Sequence, residues 1–241
     1  MVGEVSATAP RLVLATRNAG KLRELRELLR GQVPGLDVDT QVIDAAAAGA
    51  PDVVESGVTF EENAMLKAEQ TAAATGLIAV ADDSGLAVDV LGGAPGIFSA
   101  RWSGRHGDDD ANLALLLAQL ADIPEPRRGA AFVCAAAIAR PGSDGDPSAA
   151  RTERGELRGT LLLAPRGTGG FGYDPLLVPD GLERTCAELT SDEKNAISHR
   201  GIAFRALLPH LIDALSTSRP YPGTTSTGRV RARTTTGTGT P

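Results

Sequence analysis

The sequence predicts an α/β fold, and the order of elements at its start is the first reason. Residues 11–15 (RLVLA) are typical of a short buried strand, residues 16–20 (TRNAG) of a polar turn, and residues 21–30 of a helix with leucines on one face. A strand, a glycine-containing turn and a helix in this order open an α/β fold. The 241 residues suit one large domain or two small lobes that share a cleft.

The other elements follow from apolar periodicity, capping residues and turn clusters. Thr59 and Glu62 match a capping box at the start of one helix, and Pro209 is expected to kink or split the last one. Two long strands joined by a polar loop indicate a hairpin. The predicted segments are a half-buried strand over 36–43, a helix over 59–75, a buried strand over 77–81, a helix over 108–120, strands over 130–139 and 153–163, and a helix from 191 to 215.

Composition and charge limit the classes of partner. The formal charge is −6, so non-specific binding to a nucleic-acid backbone is not favoured, and a phosphate ligand must be held by local cations and N–H groups. Cys134 and Cys186 lie far apart and predict neither a disulfide framework nor a zinc site. No secretory signal or membrane-spanning run is found, so a cytoplasmic protein without a membrane partner is expected.

Segments without apolar periodicity flank the predicted domain. Residues 216–241 are rich in Thr, Gly, Ser, Pro and Arg, which predicts disorder. Residues 1–10 are predicted to be disordered as well. The folded domain is therefore expected over residues 11–215, and no internal repeat is found in the sequence.

The turn Thr16-Arg17-Asn18-Ala19-Gly20-Lys21 is the first candidate site. It joins a strand to a helix, so free backbone N–H groups and the positive end of the helix dipole are expected to face a ligand there. Side-chain donors and the Lys21 cation add to a setting that suits a phosphate tail. The segment does not match a Walker A loop. An ordinary strand-to-helix turn capped by Asn18 is the alternative interpretation.

The segment Asp82-Asp83-Ser84-Gly85 follows a predicted buried strand. Ligands gather beyond the carboxyl ends of strands in α/β sheets. Two adjacent carboxylates there are costly unless a cation or hydrogen bonds offset them, and Mg²⁺ takes oxygen ligands and brings phosphates with it. A solvated Asp-Ser-Gly turn is the alternative, but the placement favours function.

A glycine-rich segment over residues 167–175 (GTGGFGYDP) contains G-x-G-x-x-G but does not predict a dinucleotide site. No helix can readily open at Tyr173-Asp174-Pro175, and the segment does not follow the first strand of a βαβ unit. The glycines instead indicate a close approach of backbone to ligand, and Phe171 could stack on a base. The alternative is a flexible loop with a buried aromatic anchor.

Residues 194–200 (KNAISHR) place cations and donors on the predicted last helix. At helical spacing Ile197 faces the core, while Lys194 and His199 can reach other sides. His199 and Arg200 are adjacent donors. The alternative is a solvated helix face with a satisfied histidine.

Together these segments closely resemble the inosine triphosphate pyrophosphatase family, also called non-canonical purine NTP pyrophosphatases or XTP/dITP diphosphatases. They span nearly the whole chain from Leu12 to about Leu215, and such a set in this order is highly specific. The matching stretches are LATRNAGKLRELRELL, ESGVTFEENAMLKA, ADDSGLAVDVLGGAPGIFSARWSG, APRGTGGFGYDP and AELTSDEKNAISHRG.

The resemblance implies a fold, an activity and an assembly. The fold is an elongated mixed sheet with flanking helices, in two lobes around a central cleft. The implied reaction hydrolyses ITP, dITP and XTP to the monophosphate and pyrophosphate with Mg²⁺, which cleanses the nucleotide pool. A homodimer is also expected.

The resemblance further implies roles for individual residues. Asp83 corresponds to the general base and metal ligand, and Ser84 to a neighbouring substrate contact. The other substrate contacts lie in the phosphate turn, around the base and on the last helix: Thr16, Arg17, Asn18, Ala19, Gly20, Lys21, Phe171, Gly172, Tyr173, Asp174, Lys194, His199 and Arg200.

One departure from the family pattern concerns the metal. Many bacterial members carry two acids before the Thr-Gly or Ser-Gly step, and the first is proposed as a second metal ligand. Here Val54 stands at that first position and only Glu55 remains. Glu55, Asp82 or water is therefore left to complete a metal site with Asp83.

Two other functional classes stay open. One is an enzyme on the related Maf-like fold that acts on pyrimidine or methylated nucleotides. The other is a non-catalytic nucleotide-binding module, against which the presence of both Asp83 and Lys21 argues.

Overall fold

A mixed six-stranded sheet forms the centre of the computed structural model, which describes residues 9–17, 19–142 and 150–217. The strand order is β2-β1-β3-β4-β5-β6, with β1 parallel to β2 and β3 and the remaining neighbours antiparallel. The strands are β1 (Leu12–Leu14), β2 (Val42–Asp44), β3 (Ile78–Val88), β4 (Gly129–Ala139), β5 (Ala150–Leu161) and β6 (Leu177–Pro179). The predicted α/β class and the β4–β5 hairpin are confirmed.

Helices flank both faces of this sheet. Helices α1 and α6 pack with one set of buried sheet residues, and α3 packs with the other set. The helices of the described residues are α1 (Ala19–Leu29), α2 (Val38–Gln41), α3 (Phe60–Thr75), α4 (Asp109–Gln119), α5 (Ser191–Ile197) and α6 (His199–Thr217). The sheet is therefore the middle layer of three.

Successive residues of the central strands contribute to different cores. Val80 of β3 packs with α1 and α6, whereas its neighbours Ala79 and Ala81 pack with α3. The far ends of the same strands, including Leu86 and Phe132, join a third apolar cluster. The long strands thus run through two packed regions, which correspond to the two predicted lobes.

The half-buried strand predicted over residues 36–43 is wrong in its first part. The Asp37 side chain accepts a hydrogen bond from the Asp39 amide at 3.1 Å, and the Asp37 amide donates to the Gln41 side chain at 2.9 Å. These local bonds close the one-turn helix α2, so the alternating pattern there belongs to a helical turn. Only the last part, Val42–Asp44, forms a strand, and it pairs with β1.

The strand expected to end before Asp82 continues to Val88. Its pairing with β1 stops at Val80, but its antiparallel pairing with β4 goes on to the Val88–Ala130 position. The long partner, which lies far away in sequence, therefore extends β3 through the acidic segment. Asp82 and Asp83 consequently lie inside a strand and not in a turn.

The predicted last helix is two helices, and the break is not at Pro209. Ser198 has extended backbone angles (φ −64°, ψ 145°) and separates α5 from α6. Helix α6 continues through Pro209, whose ring is exposed, while its neighbours Leu207 and Leu211 are buried. Burial of this apolar face outweighs the one backbone hydrogen bond that proline cannot donate.

The start of α3 matches the predicted capping box except for one hydrogen bond. The Thr59 hydroxyl accepts a hydrogen bond from the Glu62 amide at 3.1 Å, as predicted. The Glu62 carboxylate, however, accepts from the amide of Val58 at 2.8 Å and not from that of Thr59. The alanine face of the helix, including Ala64 and Ala68, is fully buried against the sheet.

The disorder predicted for the two chain ends falls mostly outside the described residues, which exclude residues 1–8 and 218–241. Helix α6 extends to Thr217, slightly past the predicted domain boundary. Asn18 and residues 143–149 are also outside the described part. Among the described residues, no helix combines the length and apolarity needed to cross a bilayer.

Gly155 on β5 should be intolerant of substitution because α6 begins directly against it. A Cβ atom at this position would lie 2.1 Å from the His199 carbonyl oxygen and 2.6 Å from the Ala203 amide nitrogen. We expect Gly155→Ala to lower the free energy of unfolding by about 1–3 kcal/mol, measured by urea denaturation. Arg151→Ala, an exposed change on the same strand, should stay within about 0.5 kcal/mol of the parent. Equal stability of both variants would contradict this close approach.

Candidate active site

Asp82 and Asp83 point to opposite faces of β3 because side chains alternate along a strand. Asp82 faces α1 and α6, and Asp83 faces α3. Both lie just past the carboxyl end of β1, whose last pairing partner on β3 is Val80. The expected ligand position beyond a strand's carboxyl end is therefore provided by β1.

Asp82 is the centre of a buried ion-pair group. Its Oδ2 atom lies 2.8 Å from Lys21 Nζ and 3.3 Å from Arg200 Nε, and it accepts a hydrogen bond from the Ser84 hydroxyl at 3.1 Å. Burial by itself raises the pKa of Asp82, but Lys21 and Arg200 outweigh it and hold the pKa well below its usual range. Asp82 is thus ionised near pH 7 and forms ion pairs with both cations.

Asp83 has a different electrostatic setting. Asn63 Nδ2 donates to its Oδ2 at 3.1 Å, and Lys67 Nζ lies 3.5 Å from its Oδ1. Lys67 Nζ also lies 2.8 Å from Glu55 Oε1. Burial raises the pKa of Asp83; Lys67 opposes this rise, and Glu55 adds to it. The result is a carboxylate that holds a proton more readily than an ordinary aspartate.

Lys67 remains an ammonium in this setting. Burial acts to lower its pKa, but Asp83 and Glu55 outweigh that effect, and the net shift is upward. Its charge also acts on Asp82, which lies on the other face of the strand. The groups on the two faces are therefore close enough to influence one another past the end of β1.

Asn63 and Lys67 are functional candidates that the sequence argument missed. Asn63 is almost fully buried, and its Oδ1 accepts from the Gly57 amide at 2.8 Å while its Nδ2 holds Asp83. The two residues are four apart on α3, a spacing that places them on one helix face. Polar residues at that spacing beside the alanine face were the available signal.

Phe171 lies at the surface, next to the side chain of Lys194. Its ring is 65% exposed, and Lys194 Nζ lies 4.9 Å from the ring centroid. Lys194 also forms an ion pair with Asp174, whose carboxylate accepts from the Phe171 amide at 2.8 Å. An exposed ring held in this way is free to stack on a base.

The buried aromatic of this loop is Tyr173. Its hydroxyl donates to the Ser99 carbonyl at 2.9 Å, and the neighbouring Gly172 amide donates to the Asp109 carboxylate at 2.8 Å. The alternative of a loop with a buried anchor is thus correct for Tyr173 and wrong for Phe171. These two bonds fix the loop from behind and leave its Phe171 side open.

His199 is half-buried and stacks on Phe132, with ring centroids 5.2 Å apart. Its Nδ1 atom is buried and has no hydrogen-bond partner among the described residues. Burial, followed by the charges of Arg200 and Lys194, lowers the pKa of His199 to about 3. His199 is therefore neutral near pH 7, and the alternative of a solvated, satisfied histidine is wrong.

The phosphate turn passes beside both acids. The Thr16 carbonyl accepts from the Ala45 amide at 3.1 Å, and Arg17 pairs with Asp52 at 2.8 Å on the surface. Helix α1 begins at Ala19, so Gly20 and Lys21 lie in its first turn, where backbone N–H groups have no intrahelical acceptor. Asn18, the proposed cap, lies outside the described residues.

A cavity of about 610 Å³ opens next to this turn. Its lining includes Thr16, Glu55, Lys67 and Arg101. Val54, which stands at the first of the two positions where acids were expected from the resemblance, also lines it. Across the described ranges, no set of three or more acidic, histidine or cysteine side chains is placed to hold a metal ion.

The structure therefore brings the predicted residues together in three groups. Lys21, Ser84 and Arg200 surround Asp82, and the segment that carries Phe171 and Asp174 meets Lys194. Asp83 and Glu55 form a separate group with Lys67 on the other face of β3. The groups around Asp82 and Asp83 lie on the two faces of β3, just past the end of its pairing with β1.

Comparison with known proteins places the chain in one family. The model of the Ham1 family matches residues 12–210. The chain belongs to the Ham1 family. A dITP/XTP pyrophosphatase of Streptomyces coelicolor is 66% identical over 199 residues, which cover 83% of this chain and 96% of the relative. The resemblance found in the sequence is thus confirmed.

Solved structures of Ham1 proteins share the fold. A HAM1 protein from Coxiella burnetii superposes with a TM-score of 0.75 at 40% identity, covering 85% of this chain and 99% of that one. A structure from Mycobacterium abscessus, described as a nucleoside-triphosphatase and dITP/XTP pyrophosphatase, gives a TM-score of 0.67 at 50% identity, covering 83% and 99%. The elongated mixed α/β architecture is therefore that of the family.

The two neighbouring aspartates should differ in their contribution to stability. Asp82→Asn leaves Lys21 and Arg200 partly buried without their shared anion, so we expect the free energy of unfolding at pH 7 to fall by about 3 kcal/mol. Asp83→Asn removes a carboxylate whose pKa is raised by burial and should not lower it. Urea denaturation of both variants measures this contrast. An Asp83→Asn loss as large as that of Asp82→Asn would refute the assignment.

Proposed function

We propose that this chain hydrolyses non-canonical purine nucleoside triphosphates (dITP, XTP and ITP) to the monophosphate and pyrophosphate. The observation that carries the proposal is Asp83, a partly buried carboxylate with a raised pKa, held by Asn63 and adjacent to Lys67 at the end of β1. The relatives that this chain matches over nearly their full length are named dITP/XTP pyrophosphatases, which supports dITP and XTP among these substrates.

Asp83 acts as the general base in the proposed reaction. It takes a proton from a water molecule whose oxygen bonds to the α-phosphorus. The bond from that phosphorus to the oxygen that bridges to the β-phosphate breaks, and pyrophosphate leaves with the electron pair. Asn63 fixes the carboxylate, and the raised pKa of Asp83 makes it a better proton acceptor than a solvated aspartate.

Cations on both sides of β3 offset the charge of the triphosphate. Lys67 lies next to Asp83, and Lys21 and Arg200 lie on the opposite face around Asp82. Asp82 keeps these two side chains in place before a ligand arrives, so they need little reorganisation. Such fixed charges stabilise developing negative charge more than mobile solvent does.

The donor set around Asp83 fits Mg²⁺. Glu55 and Asp83 already place carboxylate oxygens around a cation, the ammonium of Lys67. Mg²⁺ commonly takes one or two carboxylates and completes its shell with phosphates and water. We propose Glu55 and Asp83 as its ligands, because the ion pairs of Asp82 argue against a metal there. When bound, Mg²⁺ neutralises negative charge on phosphate oxygens.

We propose that His199 selects the purine base. Neutral imidazole can carry its proton on Nδ1 and donate to the carbonyl oxygen that hypoxanthine and xanthine have where adenine has an amino group. An amino group in that position would leave the buried donor unpaired, which is costly. In this proposal the exposed ring of Phe171 stacks on the purine ring. A homodimer and a cytoplasmic location stay predictions.

A substrate panel tests the proposed activity. We expect ITP, dITP and XTP with Mg²⁺ to give pyrophosphate rather than orthophosphate. The value of kcat/KM for dATP should be at least about 100-fold lower, since an unpaired donor discriminates strongly. Preference for dTTP or UTP would instead assign the chain to the pyrimidine or methylated-nucleotide class and overturn the proposal.

Replacing the proposed general base gives a second test. Asp83→Asn should lower kcat for dITP by about 100-fold or more, with the fold and nucleotide binding retained. Product formation is followed by pyrophosphate release, and binding by calorimetry. Asp122→Asn, the same change at an exposed position, should keep full activity. Normal turnover by Asp83→Asn would show that another group accepts the proton.

A further inference from the structure

The cavity next to the partners of Asp83 is lined by other residues than those proposed to contact the base. It shares Thr16, Glu55 and Lys67 with the surroundings of the reacting centre. Its lining includes neither Phe171 nor His199. In a nucleotide whose base lies at Phe171 and whose α-phosphate lies at Asp83, the β- and γ-phosphates are the part that remains for this cavity. Its volume of about 610 Å³ is within the usual range of ligand sites.

The cations that line the cavity are not equivalent. Arg17 pairs with Asp52, and Lys67 pairs with Glu55 and Asp83. Arg101 also lines the cavity; its guanidinium carbon lies 5.5 Å from the centroid of the Phe98 ring, and no carboxylate in the described part of the chain forms an ion pair with it. A guanidinium that faces a cavity without a carboxylate partner is suited to an anionic ligand. Its planar set of donors matches phosphate oxygens.

The segment that carries Arg101 is firmly attached to the same face of β3 as Asp83. Gly85, two residues after Asp83, has no side chain, and a Cβ atom there would lie 2.5 Å from both the Gly96 carbonyl oxygen and the Ser99 hydroxyl. The Leu86 amide donates to the Ser99 hydroxyl at 2.8 Å, and that hydroxyl donates to the Gly96 carbonyl at 2.6 Å. The backbone two residues before Arg101 is therefore fixed against the catalytic strand.

We infer that Arg101 binds the pyrophosphate end of the substrate and the pyrophosphate product in this cavity. The inference rests on the proposed function, since it assigns the part of the nucleotide beyond the scissile bond. Lys67 lines the same cavity and lies 3.5 Å from Asp83 Oδ1, so one cation is shared by the reacting centre and the cavity. Arg101 makes no bond to the nucleoside, so it contributes to pyrophosphate binding and not to base selection.

The test compares Arg101→Met, which removes the charge and keeps an aliphatic stem against Phe98, with Arg101→Lys, which keeps the charge but loses the planar donors. The matched control is Arg105→Met on the same segment, where the side chain is 82% exposed and does not line the cavity. Binding of inorganic pyrophosphate is measured by calorimetry in the presence of MgCl₂. Melting temperatures check that each variant is folded.

Arg101→Met should weaken pyrophosphate binding by about tenfold or more, and Arg101→Lys by less. Inhibition by dIMP should change by less than about twofold, and Arg105→Met should behave as the parent does.

Equal pyrophosphate affinity of parent and Arg101→Met, or no pyrophosphate binding by the parent, would overturn the inference. If Arg101→Met does not fold, parent-like pyrophosphate binding by Arg101→Lys would also count against it. A parent that binds pyrophosphate but does not hydrolyse dITP would refute the proposed function alone, because the binding measurement needs no turnover.

Discussion

Neighbouring side chains leave a β-strand on opposite faces, and the candidate site depends on this rule at Asp82 and Asp83. Asp82 contacts two cations, which hold its pKa well below its usual range. Asp83 contacts the buried amide of Asn63 and the lysine that it shares with Glu55, and burial raises its pKa. The end of β1 lets both faces contribute to one opening. Two identical residues therefore take different roles because of where the strand directs them.

The cations of the site depend on how closely the helices pack on the sheet. Helix α3 places Lys67 through a buried alanine face, and α6 places Arg200 through its close contact with Gly155. Small residues at these contacts let long charged side chains reach the acids of β3. Packing of the core and placement of charge are thus set by the same residues.

Local sequence patterns were enough to predict much of this architecture. The first strand, turn and helix, the start of α3 and the hairpin strands follow from periodicity and capping that act within a few residues. The length of β3 did not, since it depends on pairing with β4 about fifty residues away. The turn at Asp37 and the break at Ser198 depend on backbone bonds and angles that periodicity does not report. Asp83 could be predicted as a site residue from its local motif. Its partners Asn63 and Lys67 could not, because they reach it only when α3 packs on β3.

Strand β4 lies between the two helices that carry the site and contacts both through small residues. Ala135 and Ala137 face α3, and Cys134 and Ala136 face α6. Asp83, the proposed general base, lies on the α3 side of this layer, and His199, the proposed selector of the base, lies on the α6 side. Residues that touch no ligand thereby set the span that a nucleotide must bridge, and an interior change from alanine to a larger residue would alter the size of substrate that the site accommodates.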